Sequence, residues 1–132
     1  HGDSEIPLWS TATAGTIPVT ELIDEAERAQ MAHDVVHAAY EIIAGKGATN
    51  YAVGVSACRI LEAVLRDEHR VLPVSTRADG HHGIEDVCLS IPSVVGASGI
   101  ERQLHVPMTE EEITGLRASA DEIRAVARDL GF

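Results

Sequence analysis

Apolar residues recur every three or four positions in three separate segments, and the β-rich runs are gathered between the second and the third. That order restricts the fold more than any other feature of the chain. From Asp24 onward, Ala32, Val35, Val36, Ala39, Ile42 and Ile43 mark one face of an amphipathic helix, which Gly45 and Gly47 are placed to stop. Val53, Ala57, Ile60, Leu61 and Val64 share a face from about Thr49 to Arg66, a second helix whose first turn, poor in polar residues, is expected to be buried. Beyond Asp67 the pattern becomes short β-rich runs, Arg70–Ser75, Asp86–Ile91 and Arg102–Val106, separated by Gly80, Gly83, Gly96 and Gly99, which predicts an antiparallel meander. Pro73 has no N–H to donate and belongs on an edge strand or at a bulge. Thr109 and Glu112 spell a capping box ahead of a third helix on Ile113, Leu116, Ala120, Ile123, Ala127 and Leu130, with Gly131 at its stop. His1 to Leu22 is rich in turn residues and is expected to hold a short strand at Ile6–Trp9 and no helix. Helices and strands are segregated, so the fold class is α+β, with long helices packed on short antiparallel strands.

A length of 132 residues suits one domain and is too short for a cofactor domain plus a substrate domain. No repeat or linker divides it. With one Trp, two Tyr and one Phe, the core must come from Leu, Ile, Val and Ala. A formal net charge of -11, with no basic cluster to offset it, excludes nucleic acid and anionic membrane surfaces as expected partners. Cys58 and Cys88 lack CxxC spacing and read as small buried hydrophobes in a reducing compartment. No apolar run approaches the roughly 18 residues of a membrane span, and no signal peptide is evident, so a cytoplasmic location is expected. The chain opens at His1, inside what reads as a functional loop, so further residues are expected before it.

Two polar clusters could carry chemistry. His1-Gly2-Asp3-Ser4 places a titratable ring beside a glycine, as either a polar terminal turn or a catalytic histidine. Gly45-Lys46-Gly47-Ala48-Thr49-Asn50 delivers Thr49 to the start of a helix, where it either caps that helix or faces a ligand. Neither GxxxxGK[ST] nor GxGxxG occurs, so the chain by itself is not expected to bind a dinucleotide. No metal site is expected: His33 and His37 lie one helical turn apart with no acid following at a liganding spacing, and the adjacent His81 and His82 should diverge in a glycine-rich turn. Trp9 and Tyr40 read as core or interface residues.

HGDSEIPLWS, GKGATNYAVG, LRDEHRVLPVS, HGIEDVCLSIPSVVG and the final helix follow one another in the order of the L-lactate dehydrogenase family and its malate relatives, which nearly the whole chain resembles. The resemblance implies that residues 1–132 are the C-terminal substrate domain of an NAD-dependent 2-hydroxy-acid dehydrogenase, with a Rossmann domain upstream. It implies reversible hydride transfer between NADH and pyruvate, giving L-lactate, with His1 as proton donor and acceptor. Thr49 would line the substrate pocket, Val53 would pack near the nicotinamide, and Tyr40 matches a position that is phosphorylated in some bacterial relatives. The aspartate that orients the histidine and the two arginines that grip the substrate lie upstream of His1 in that family, and Thr20 to Asp24 is shorter here. A small-molecule substrate and a homotetramer are implied as partners. Three alternatives stand beside this reading: a malate dehydrogenase of the same family, a non-catalytic oligomerisation domain, and a metal hydrolase using His1, Asp3, His81 and His82.

Overall fold

A computed structural model describes residues 4–132. The chain divides into two compact units, Gly47–His105 on the one hand, and His1–Lys46 with Val106–Phe132 on the other.

Within Gly47–His105, a helix α3 at Tyr51–Leu65 precedes three strands, β3 at Arg70–His81, β4 at Ile84–Gly96 and β5 at Gly99–Gln103. They form one antiparallel sheet in the order β3-β4-β5, the expected meander. His82 and Gly83 join β3 to β4 with positive φ at both positions, 50° and 78°, the two-residue turn whose twist matches that of the strands it joins. On β4, Val87, Leu89, Ile91, Ser93 and Val95 are buried and the residues between them are less so, the period of two that one covered sheet face requires. Ser93 is tolerated there because its hydroxyl donates to the Ile91 carbonyl at 2.9 Å. Helix α3 packs on β4 and contributes the fully buried Ala63.

In the other unit, a short hairpin of β1 (Thr13–Ala14) and β2 (Ile17–Pro18) leads into a single turn α1 (Val19–Leu22), then α2 (Glu25–Lys46), and the chain closes with α4 (Glu110–Asp129). Asp24 and Glu27 exchange side-chain and backbone hydrogen bonds at the start of α2, at 2.9 and 3.2 Å. Helix α4 opens with the expected capping box of Thr109 and Glu112, and Gly131 follows it at φ 89°.

Several expectations from the sequence are corrected. The strand expected at Ile6–Trp9 is absent, strands form at Thr13–Ala14 and Ile17–Pro18 instead, and Val19–Leu22 makes a helical turn where none was expected. Gly45 lies inside α2, which stops only at Gly47, where φ is 83°. Strands β3 and β4 run longer than the expected Arg70–Ser75 and Asp86–Ile91, since ladder bonds extend pairing into polar flanks, whereas β5 is displaced from the expected Arg102–Val106 and ends at Gln103. Cys58 and Cys88 are exposed. Cys88 falls between Val87 and Leu89 and so points to the other face of the sheet. The first turn of α3 is exposed, with Tyr51 at 78% and Val53 at 63%.

These burials set a contrast between neighbouring positions on β4. Ile91→Ala should cost about 2–5 kcal/mol in urea denaturation, while Cys88→Ala should stay within about 0.5 kcal/mol. Equal losses at the two positions would show that the buried face has been misassigned.

Candidate active site

His1, Gly2 and Asp3 lie outside the described residues. From Ser4 onward, the segment is fastened to one face of α4 at three points. The hydroxyls of Ser4 and Ser119 are 2.9 Å apart, and Ser119 and Ala120 are both buried. Ile6 lies against Gly115, where an added Cβ would come within 3.1 Å of its Cγ1. Ser10 donates its N–H and its hydroxyl to the two oxygens of Glu112, at 3.0 and 2.5 Å. Positions 112, 115 and 119 share a helix face because their spacing is three and four. Beside this strap, Ile6, Pro7 and Trp9 meet Met31, Ala32, Val35 and Val36 of α2 around an apolar cleft of about 180 Å³.

Glu112 also accepts the Thr109 N–H at 2.8 Å. Burial opposes its ionisation, but the hydrogen bonds from Ser10 and Thr109 outweigh that and hold the carboxyl below its ordinary range.

Thr49 and Val53 belong to the other unit. The residue capping α3 is Asn50, so Thr49 is not the cap; it is exposed one position earlier. Val53 presents an apolar surface in the first turns of α3. Tyr40 is exposed on α2, its ring 6.1 Å from that of His37. Trp9 is half-buried at the cleft, in keeping with a core role, while Tyr40 is not a core residue. His33 and His37 stack at 4.0 Å, and His37 Nδ1–H donates to the His33 carbonyl at 2.8 Å.

His81 and His82 do not diverge as expected. Their ring centroids are 4.6 Å apart, and His105 joins them at 5.1 and 4.5 Å. His81 is only 6% exposed, and its buried Nε2 has no hydrogen-bond partner. Burial first, then the neighbouring imidazoles of His82 and His105, push its pKa down and favour the neutral ring. His81 ends β3 beyond two irregularities in its register with β4, and His105 follows β5, so no spacing rule in the sequence announces the group.

Residues 1–130 match the family model for the α/β C-terminal domain of lactate/malate dehydrogenases. The L-lactate dehydrogenase of Nitratidesulfovibrio vulgaris is 51% identical over 127 residues, covering 91% of this chain and 41% of that protein. That of Bifidobacterium animalis subsp. lactis is 41% identical over 140 residues, covering 100% of this chain and 44% of that protein. Among solved structures, the minor L-lactate dehydrogenase of Enterococcus mundtii superimposes with a TM-score of 0.93 at 38% identity, over 96% of this chain and 42% of that one. The malate dehydrogenase of Salinibacter ruber does so with a TM-score of 0.93 at 34% identity, over 98% and 43%. The chain belongs to the lactate/malate dehydrogenase family and has the fold of its C-terminal domain. It spans less than half the length of the curated relatives it matches.

Glu112→Gln keeps the shape of the side chain but removes the charge that three donors face. The expected loss is about 1–2 kcal/mol at pH 7 by urea denaturation. Because the folded carboxyl titrates below its ordinary 4.5, the contribution is present above that pH and fades as pH falls through and below it, so the stabilities of wild type and variant converge in acid. Curves that stay parallel down to strong acid would show that the Glu112 charge does not hold the strap.

Proposed function

We propose that this chain is the substrate domain of an NAD-dependent L-lactate dehydrogenase that interconverts pyruvate and L-lactate, with the cofactor domain upstream of His1. The observation that carries the reading is the identity of 41% and 51%, over 100% and 91% of the chain, to two proteins named L-lactate dehydrogenase. A dinucleotide would be held mainly by the upstream domain, since no phosphate-binding glycine loop is present here. This chain offers it the exposed side chain of Val53. Bound NAD supplies or accepts the hydride. His1 gives a proton to the pyruvate carbonyl oxygen in reduction and takes one from the lactate hydroxyl in oxidation, and an ordinary pKa of about 6.5 suits both directions. Thr49 lines the pocket where a small hydroxylated side chain leaves room for a methyl group. The strap on α4 gives the residues after His1 a helix to lean on.

The same reading makes the protein a cytoplasmic enzyme of pyruvate fermentation at the end of glycolysis, and a homotetramer. In such an assembly, the exposed Val35, Ile42 and Ile43 of α2 and Leu61 and Leu65 of α3 would be covered by the rest of the subunit or by other copies. Among the described residues no helix is long and apolar enough to cross a membrane. On the same reading Tyr40, on α2, is the proposed phosphorylation site. A malate dehydrogenase is the second reading, favoured by the likeness to the Salinibacter ruber enzyme.

NADH oxidation by the full-length protein at neutral pH, with pyruvate and oxaloacetate compared by kcat/KM, separates the two. A preference for pyruvate of about 100-fold or more, about 2.7 kcal/mol, is expected, and a preference for oxaloacetate would move the enzyme to the malate branch. His1→Gln should lower kcat by about 100-fold or more; a rate within about tenfold of wild type would overturn the acid/base role.

A further inference from the structure

We propose that His81, His82 and His105 form an acid-sensitive latch, closed while the three imidazoles are neutral, that releases the tip of the β3–β4 hairpin when they take up protons. All three residues belong to the Gly47–His105 unit. The rings of His81 and His82 stand edge to face with centroids 4.6 Å apart, and the ring of His105 lies 5.1 Å from the first and 4.5 Å from the second. Neutral rings pack favourably in such arrangements, whereas imidazolium rings at the same separations repel one another.

Two further features tie the latch to protonation. His81 is buried, and its Nε2 has no hydrogen-bond partner. In the neutral tautomer with its proton on Nδ1, that nitrogen carries only a lone pair; a second proton would make it a charged donor with no acceptor in reach. His82 adopts φ 50°, in a turn that asparagine or glycine enters at less cost, so its backbone stays there only while its surroundings hold it. Repulsion among the rings and relief of that backbone act in the same direction.

The surrounding charges do not offset this. The charged groups nearest in the chain are Arg77 and Asp79 on β3 and Glu85 and Asp86 on β4, and Arg77 pairs with Asp86 on the exposed face. Among the described residues, no charged group of the hairpin, of β5 or of α3, which packs on β4, favours a proton on His81; burial, His82 and His105 all oppose one. His69 has the opposite environment in the same unit. Its Nδ1 is 2.7 Å from Glu101 and its Nε2 3.4 Å from Asp67, and these carboxylates, the hydrogen-bonded Glu101 foremost, raise its pKa, so mild acid tightens that corner. Because the closed tip keeps His81 below its ordinary 6.5, the released form binds the proton more tightly; the latch holds above that pH and weakens as pH falls below it.

The latch does not depend on the proposed reaction. Hydrogen–deuterium exchange of the full-length protein at about pH 7.5 and about pH 5.5, corrected for the intrinsic pH dependence of exchange, tests it. Peptides covering Asp79 to Asp86 should lose protection by at least about tenfold in acid, while peptides around Ile91 change by less than about threefold. His81→Phe keeps a ring that cannot be charged, so its tip should stay protected at both pH values. The double variant His82→Asn with His105→Gln removes the two neighbouring imidazoles and suits the turn backbone. It should shrink the acid loss by at least about threefold, and it decides the matter by itself if His81→Phe fails to fold. His69→Gln should leave the acid loss at the tip as in wild type. Circular dichroism of each variant confirms that it is folded. A wild-type tip equally protected at both pH values, an acid loss of wild-type size in His81→Phe or in the double variant, or a loss spread evenly along β4 would overturn the proposal.

Discussion

Strand β4 is the only strand of its sheet paired on both sides, and the Gly47–His105 unit depends on its register. A slip of one residue would turn Val87, Leu89, Ile91 and Val95 out of the core together. The two-residue turn at His82–Gly83 prevents this at one end. Pro73 and Pro92, opposite one another in the β3–β4 register, sharpen the point. Neither can donate a ladder bond, and a proline on a central strand is ordinarily costly. In an antiparallel pair, however, alternate opposed residues direct their N–H and C=O away from each other. The Pro92 carbonyl accepts from Leu104 N–H at 2.8 Å, on the β5 side, so the two prolines occupy such a pair and no β3–β4 bond is lost. Pro73 correspondingly faces the open edge of β3, where the sequence led one to expect it.

The features legible in the sequence are those with a local cause. The meander follows from β-branched runs cut by glycines, and the start of α4 from two residues three apart. Asp24 and Glu27 carry the same signature for α2 as Thr109 and Glu112 do for α4. Gly45 misled because a glycine inside a long helix costs only about 1 kcal/mol, less than the tertiary contacts of a helix can offset; what ends α2 is the left-handed backbone of Gly47. The cysteines misled because apolar neighbours in sequence say little about which face a residue occupies. Counting by twos from Val87 would have placed Cys88 correctly. The exposed start of α3 has a different origin: composition records that a helix is apolar, but not which other part of the protein covers it.

The candidate site was legible only in part. His1, Thr49 and Val53 are candidates by resemblance alone, and physical pattern left each with an ordinary structural reading. The contacts that hold the strap were invisible, because Ser4 and Ser119 are 115 residues apart and Ser10 and Glu112 are 102 apart. The same holds for the histidine and carboxylates at the end of α3: Asp67 and His69 meet Glu101 only after β3, β4 and β5 have paired. Sequence spacing reports neighbours along one element, whereas these groups are assembled by topology.

Helix α4 couples two functions through one carboxylate. Glu112 satisfies the backbone at the helix start and also receives both donors of Ser10, so the cap and the strap share their charge. Three acidic residues in the first turn favour the helix through its dipole, but only Glu112 reaches across to the N-terminal segment. Loss of that charge therefore weakens the helix start and loosens the chain following His1 in the same event. In the reaction proposed for it, His1 would need the chain that follows it held in one place while its own proton comes and goes. An anchor that titrates well below the histidine range keeps its charge throughout that cycle, which is the property such a strap must have.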